Sequence, residues 1–161
     1  MTTKEFNQSV DLFSDHIYRF ILKNIHDSEK ARDIVQDTFE KLWVRHKDVE
    51  AEKTKSYLFT TAYHTMIDII RREKKFDHSS KIRYNSMVHD RHYSDLSEVL
   101  HKAVEQLPTD QRSVIMLRDY EGYSYEEISE ITGLNLSQVK VYIFRGRLFL
   151  KNYIGSMEAV I

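Results

Sequence analysis

Between Ser137 and Lys151 the chain carries four cations, Lys140, Arg145, Arg147 and Lys151, and no carboxylate. Wound as a helix, this run sets Val139, Ile143, Gly146 and Leu150 on one stripe. Its other side shows Ser137, Gln138, Lys140, Val141, Phe144, Arg145, Arg147 and Lys151. The chemistry open to such a face is binding, not bond making. Amides and hydroxyls at a helix start can reach base edges in a major groove, cations can hold phosphates, and an apolar group can meet a thymine methyl. Without nucleic acid the same pattern is a solvated basic face, which a helix C-terminus also favours electrostatically.

Two further groups could bind. Asp33, Gln36, Asp37 and Glu40 fall at i, i+3, i+4 and i+7, one acidic and polar helix face. Taken alone, such a face is a solvated helix surface. Tyr57, Thr61, His64, Asp68, Arg71 or Arg72, and Lys75 share one side of another helix and grade from aromatic to basic. Unpaired bases stack on aromatic rings and hydrogen-bond to polar side chains, while Arg71, Arg72, Lys74 and Lys75 suit a phosphate backbone. Read from the residues alone, the preferred account is plainer: Tyr57 and Tyr63 form the rim of a core, and "RREKK" is a solvated helix end. His64 with Asp68, and His89, Asp90 and His92, are types that could hold a divalent metal. The second set lies in an irregular stretch with no ordered third ligand group, so metal-dependent hydrolysis is the weak alternative; no catalytic residue, metal or cofactor is expected.

These faces need helices to carry them. Phe6, Val10, Phe13, Ile17, Phe20 and Ile21 recur at three- and four-residue steps across Glu5–Ile25. A second helix is expected from Ser28 as N-cap, burying Ile34, Val35, Phe39, Leu42 and Trp43, with "RHKDVEAEKTK" as a loop after it. The third runs through "SYLFTTAYHTMIDIIRREKK" and buries Leu58, Ala62, Met66, Ile69 and Ile70. Residues 76–95 lack a sustained period and read as a linker. Beyond it, "LSEVLHKAVEQL" is helical, Pro108 and Thr109 punctuate, and "DQRSVIMLRDYEG" turns Val114, Ile115 and Leu117 inward before Gly122 stops it. Ser124 with Glu127, and Asn135 with Gln138, spell two capping boxes, and Gly133 stands where the helix between them must end. That is a helix-turn-helix, Tyr125–Thr132 and then Leu136 onward, in which small Gly146 allows close packing.

The 161 residues hold four glycines, one proline and no cysteine, with net charge −1. This composition favours helix and excludes a disulfide framework and Cys-ligated metal. The first residues lack a signal-peptide pattern, and no apolar run approaches the ~20 residues of a membrane span, so a cytoplasmic location is expected. Near-neutral overall charge decides nothing about nucleic acid, since local segregation of charge is what phosphate meets.

"AVEQLPTDQRSVIMLRDYEGYSYEEISEITGLNLSQVKVYIFRGRLFLK" resembles region 4 of the extracytoplasmic-function (ECF) sigma factors of bacterial RNA polymerase. "EKARDIVQDTFEKLW" is similar to their region 2.2, and "SYLFTTAYHTMIDIIRREKK" to their regions 2.3 and 2.4. The resemblance implies an all-α protein of two small helical domains: region 2 over 1–77, a flexible linker over 78–94, region 4 over 95–155, and a tail over 156–161. It implies that Asp33, Gln36, Asp37 and Glu40 bind the clamp helices of the largest polymerase subunit. Tyr57, Thr61, His64, Asp68, Arg71, Arg72 and Lys75 would melt and read a minus-ten element. Region 4 would bind the flap of the second subunit and read a minus-thirty-five element through Ser137, Gln138, Lys140, Val141, Tyr142, Phe144, Arg145 and Arg147. An anti-sigma factor, a response regulator or another recruiting protein is a compatible partner. His64 stands where the family commonly has Asn, Tyr142 where it often has Arg, and Val141 where it often has a small polar residue, so promoter preference is not carried over. The runner-up reading is a helix-turn-helix regulator that works without polymerase and leaves the Asp33 to Glu40 face without a role.

Overall fold

The computed structural model describes residues 1–76 and 95–158, and all the regular structure among them is helical. Seven helices follow in order: α1 (Thr3–Ile25), α2 (Ser28–Val44), α3 (Thr54–Phe76), α4 (Asp95–Gln106), α5 (Thr109–Ile115), α6 (Tyr125–Thr132) and α7 (Leu136–Glu158). A 3₁₀ turn, Ala51–Lys53, precedes α3, and a π-helical turn, Met116–Tyr120, continues α5. The described residues form two compact units: α1 to α3 make one and α4 to α7 the other, with Glu130–Thr132 grouped with the first. The expected linker, with His89, Asp90 and His92, lies outside the described residues.

In the first unit α1, α2 and α3 pack against one another. Ile17, Phe20, Ile21, Ile34, Leu42, Leu58, Phe59 and Met66 are fully buried, and Phe20 meets Phe59 edge-on at 5.5 Å between ring centroids. Local chemistry fixes the helix ends. Thr2 and Glu5 form a reciprocal capping box on α1, with bonds of 2.8 and 3.1 Å. For α2 the expected cap, Ser28, is the first helical residue instead; Asp27 takes the capping position and accepts from the Glu29 and Lys30 amides at 3.1 Å. A carboxylate there also meets the positive end of the helix dipole. Lys30 then pairs with Glu73, tying the start of α2 to the end of α3.

Trp43 departs from expectation: it is 43% exposed, stacked on His46 at 4.4 Å and met edge-on by Phe6 at 5.0 Å. Val35, Ile69 and Ile70 are only partly buried, whereas Phe59 and Tyr63, absent from the expected core, belong to it. An α3 packed on both α1 and α2 buries a wider arc than a single apolar stripe supplies.

The second unit is built on α7, against which α4 and α5 pack. Val114, Ile115 and Leu117 point inward as expected, and Gly122 takes the left-handed conformation at φ 77°. Arg112 is buried and donates to three carbonyls at the end of α4: Val104 at 3.2 Å, Glu105 at 2.8 Å and Leu107 at 2.7 Å. Its guanidinium therefore caps the C-terminus of α4, which Pro108 stops and where the Leu107 amide reaches only the Val104 carbonyl, at 3.2 Å. Desolvation lowers its pKa, partly offset by the charge of Glu105.

Candidate protein and nucleic-acid interfaces

The helix-turn-helix forms where its caps foretell. Ser124 and Glu127 exchange bonds of 3.0 and 3.1 Å to start α6, and Gly133, φ 78°, ends it with its amide on the Ser129 carbonyl. Asn135 and Gln138 then exchange bonds of 3.0 and 2.8 Å to start α7. Along α7, Val139 and Ile143 are buried, and Gly146 lies so close to α5 that an added Cβ would stand 2.9 Å from Ile115 Cγ1. This contact fixes which side of α7 faces out.

Ser137, Gln138, Lys140, Val141, Phe144, Arg145 and Lys151 are all exposed, Phe144 at 68%, and Tyr142 is half-buried. A helix face mixing hydroxyl, amide, aliphatic, aromatic and cationic groups can meet base edges and phosphates together. Two of its members have duties within the fold. The Gln138 amide oxygen is committed to the cap, and the Arg147 guanidinium is paired with Asp119, Nη2 to Oδ1 at 2.7 Å and Nε to Oδ2 at 3.4 Å.

In the first unit, Asp33, Gln36 and Glu40 are exposed and Asp37 half-buried along one side of α2. Gln36 donates to Glu40 at 3.3 Å, and Lys41 pairs with Asp37 at 3.0 Å. The ridge is thus acidic but partly neutralised from within. Tyr57 and Thr61 on α3, both half-buried, join Asp37, Glu40, Lys41, Val44 and Arg45 around one open groove between α2 and α3. Farther along α3, His64, Asp68, Arg71, Arg72 and Lys75 are exposed. All seven residues expected on that side of α3 are therefore accessible, and the aromatic end of the series borders the acidic ridge. His64 and Asp68 stand one turn apart on this surface, and among the described residues no three His, Cys, Asp or Glu side chains cluster as metal ligands would. Nor is any described helix long and apolar enough to cross a membrane.

Sequence reasoning did not identify Asp119, Arg112 or Lys41. Each acts through a partner on another helix or turn of helix, and only a capping or i, i+4 pattern, as for Lys41 with Asp37, is visible in sequence.

Comparison with known proteins matches residues 10–76 to the family described as Sigma-70 region 2 and residues 97–150 to Sigma-70, region 4. The RNA polymerase sigma factor SigV of Bacillus subtilis (strain 168) is 32% identical over 142 residues, 84% of each chain. The ECF RNA polymerase sigma factor SigM of the same organism is 28% identical over 156 residues, 94% of each. Among solved structures, the sigma factor RpoE in complex with the anti-sigma factor NepR from Bartonella quintana superposes with a TM-score of 0.80 at 28% identity, covering 95% of this chain and 98% of that one. CnrH, in complex with the cytosolic domain of CnrY, shares the fold at a TM-score of 0.68 and 22% identity, covering 96% and 90%.

Proposed function

The chain belongs to the extracytoplasmic-function sigma factors of bacterial RNA polymerase, and from that membership we propose how its two units divide the work of starting transcription. Sigma factors are not enzymes; this chain acts by binding, in the cytoplasm where its template lies. The first unit docks on the clamp helices of the largest polymerase subunit through Asp33, Gln36, Asp37 and Glu40. Tyr57, Thr61 and His64 receive bases from the opened minus-ten element, with Asp68 bordering them and Arg71, Arg72 and Lys75 on the backbone. The second unit meets the flap of the second subunit and reads a minus-thirty-five element with Ser137, Gln138, Lys140, Val141, Tyr142, Phe144 and Arg145.

One observation carries this reading: the acidic ridge of α2 and the aromatic end of the α3 surface border the same groove. A protein bound along α2 would leave α3 beside it to take a displaced strand. A regulator working without polymerase has no use for that juxtaposition. The sigma factor RpoE, which shares this fold, is bound by the anti-sigma factor NepR, and an anti-sigma factor, response regulator or other recruiting protein is the corresponding control on this chain.

The test reconstitutes the protein with core polymerase and transcribes fragmented genomic DNA. Specific transcripts are expected with core and the protein together, and with neither alone. Asp37→Lys should weaken association with core, and Arg145→Ala should lower promoter use by roughly five- to a hundredfold, the equivalent of ~1–3 kcal/mol for one base or phosphate contact. Specific operator binding by the isolated chain, with no transcript once core is added, would establish the polymerase-independent regulator instead.

A further inference from the structure

At 100° per residue, Arg145 and Arg147 stand about 160° apart around α7. Arg145 projects away from the buried Val139, Ile143 and Gly146 stripe, whereas Arg147 emerges beside Ile143 at its edge. Two arginines so disposed cannot serve one flat ligand equally. Arg147 instead grips both carboxylate oxygens of Asp119, at 2.7 and 3.4 Å. Asp119 sits in the π-helical turn, whose wider winding presents it differently from a residue of a continuous α5. Tyr125, at the first turn of α6, shares a groove with Arg147 and lies under the guanidinium of neighbouring Arg118, 4.9 Å from the ring centroid. Arg118 in turn donates to the Tyr123 carbonyl at 2.9 Å. The hydrogen bond that Arg147 donates to Asp119 raises the Arg147 pKa above its ordinary value against the pull of desolvation, with Tyr125 adding to it.

We propose that Asp119 and Arg147 are positioning residues for promoter reading: the pair fixes the angle at which α7 presents Gln138, Val141 and Arg145, and Arg147 directs its charge to Asp119 rather than to DNA. This rests on the assignment of α7 as the minus-thirty-five reader. It removes Arg147 from the DNA-contacting set that its sequence position suggested, and gives the π turn a purpose. A bidentate pair joined to a second arginine–aromatic contact is the kind of exposed ion pair that exerts a measurable effect.

The experiment uses holoenzyme and a promoter fragment recovered from the genomic screen, alongside the same fragment with its upstream element scrambled. The ratio of initiation between the two is the readout. Asp119→Ala and Arg147→Ala should each lower that ratio by about fivefold, and the exchanged pair Asp119→Arg with Arg147→Asp should recover most of it. The salt dependence of promoter binding should keep its slope in Arg147→Ala and lose about one unit in Arg145→Ala. A slope reduced by about one in Arg147→Ala, a ratio unmoved by either single change, or no recovery in the exchanged pair would each overturn the proposal. Hydrogen exchange on the free, full-length chain is a second arm that needs no polymerase. Amides from Arg145 to Lys151 should exchange several-fold faster in Asp119→Ala than in the parent, and unchanged rates would count against the proposal. If no genomic fragment is transcribed, the sigma reading of the chain fails while this arm still decides whether the pair holds α7.

Discussion

Arg112 illustrates how a single residue can look functional and be architectural. In sequence it is one more cation in the half of the chain that carries the helix-turn-helix; in the structure it is buried, and three carbonyls of the α4 terminus accept its hydrogen bonds. Removing it strips three buried or part-buried carbonyls of a charged donor and leaves the Val104 carbonyl only the Leu107 amide, which costs more than the net value of the bonds themselves. Arg112→Leu is expected to destabilise the second unit by about 2–4 kcal/mol. Arg112→Lys should recover little, because one ammonium cannot span three carbonyls as a planar fork does. Urea unfolding followed by circular dichroism checks both, and a lysine variant as stable as the parent would show that charge alone suffices. Trp43 teaches the reverse lesson. Its helical position suggested a core residue, yet its ring is held from outside by His46 and Phe6; a hydropathy stripe marks which way a side chain leans but not how far the neighbouring helix extends to cover it.

At the scale of elements, the features readable in sequence were those made by residues a few positions apart. The bounds of α6, the start of α7, the stop at Gly133 and the close approach at Gly146 all rest on caps or on one stripe of a helix. What escaped depends on residues distant in the chain. The Asp119–Arg147 pair spans 28 positions, and nothing in the sequence around Asp119 announces a π turn. The α2 cap shows a finer limit, since Asp27 and Ser28 are both good capping residues and the left-handed His26 before them, φ 61°, decides between them by where it releases the chain. The two capping boxes of the helix-turn-helix invite a direct measurement. Ser124→Ala and Asn135→Ala should each cost about 1 kcal/mol, and because they cap different helices their effects should add to within a few tenths. Unfolding of the single and double variants gives the answer, and strongly non-additive values would mean that α6 and the start of α7 do not form independently of each other's caps.

For the whole molecule, what counts is how charge is distributed, not its sum. A net charge of −1 gives the free chain little long-range attraction for DNA. Exposed cations cluster on α7 (Lys140, Arg145, Arg147, Lys151) and at the end of α3 (Arg71, Arg72, Lys74, Lys75), while one face of α2, Asp33 to Glu40, is acidic, with Lys41 already neutralising Asp37. Acid and base faces on one chain oppose each other's pull on a polyanion until a partner covers the acidic one. Core polymerase, by occupying α2, would remove that opposition and hold the α3 surface against a duplex it could not retain alone. The free protein is therefore expected to show no promoter-specific retention of duplex DNA at physiological salt. The holoenzyme should render thymines of the minus-ten region reactive to permanganate on the same fragment. Substituting Tyr57 by Ala should reduce that reactivity while leaving association with core at the parent's level, with the loss on the order of five- to a hundredfold expected for one stacked base. Equal permanganate reactivity in parent and variant would take strand capture away from the aromatic end of α3, and reactivity produced by the free chain alone would show that covering the acidic ridge is not what brings α3 to DNA.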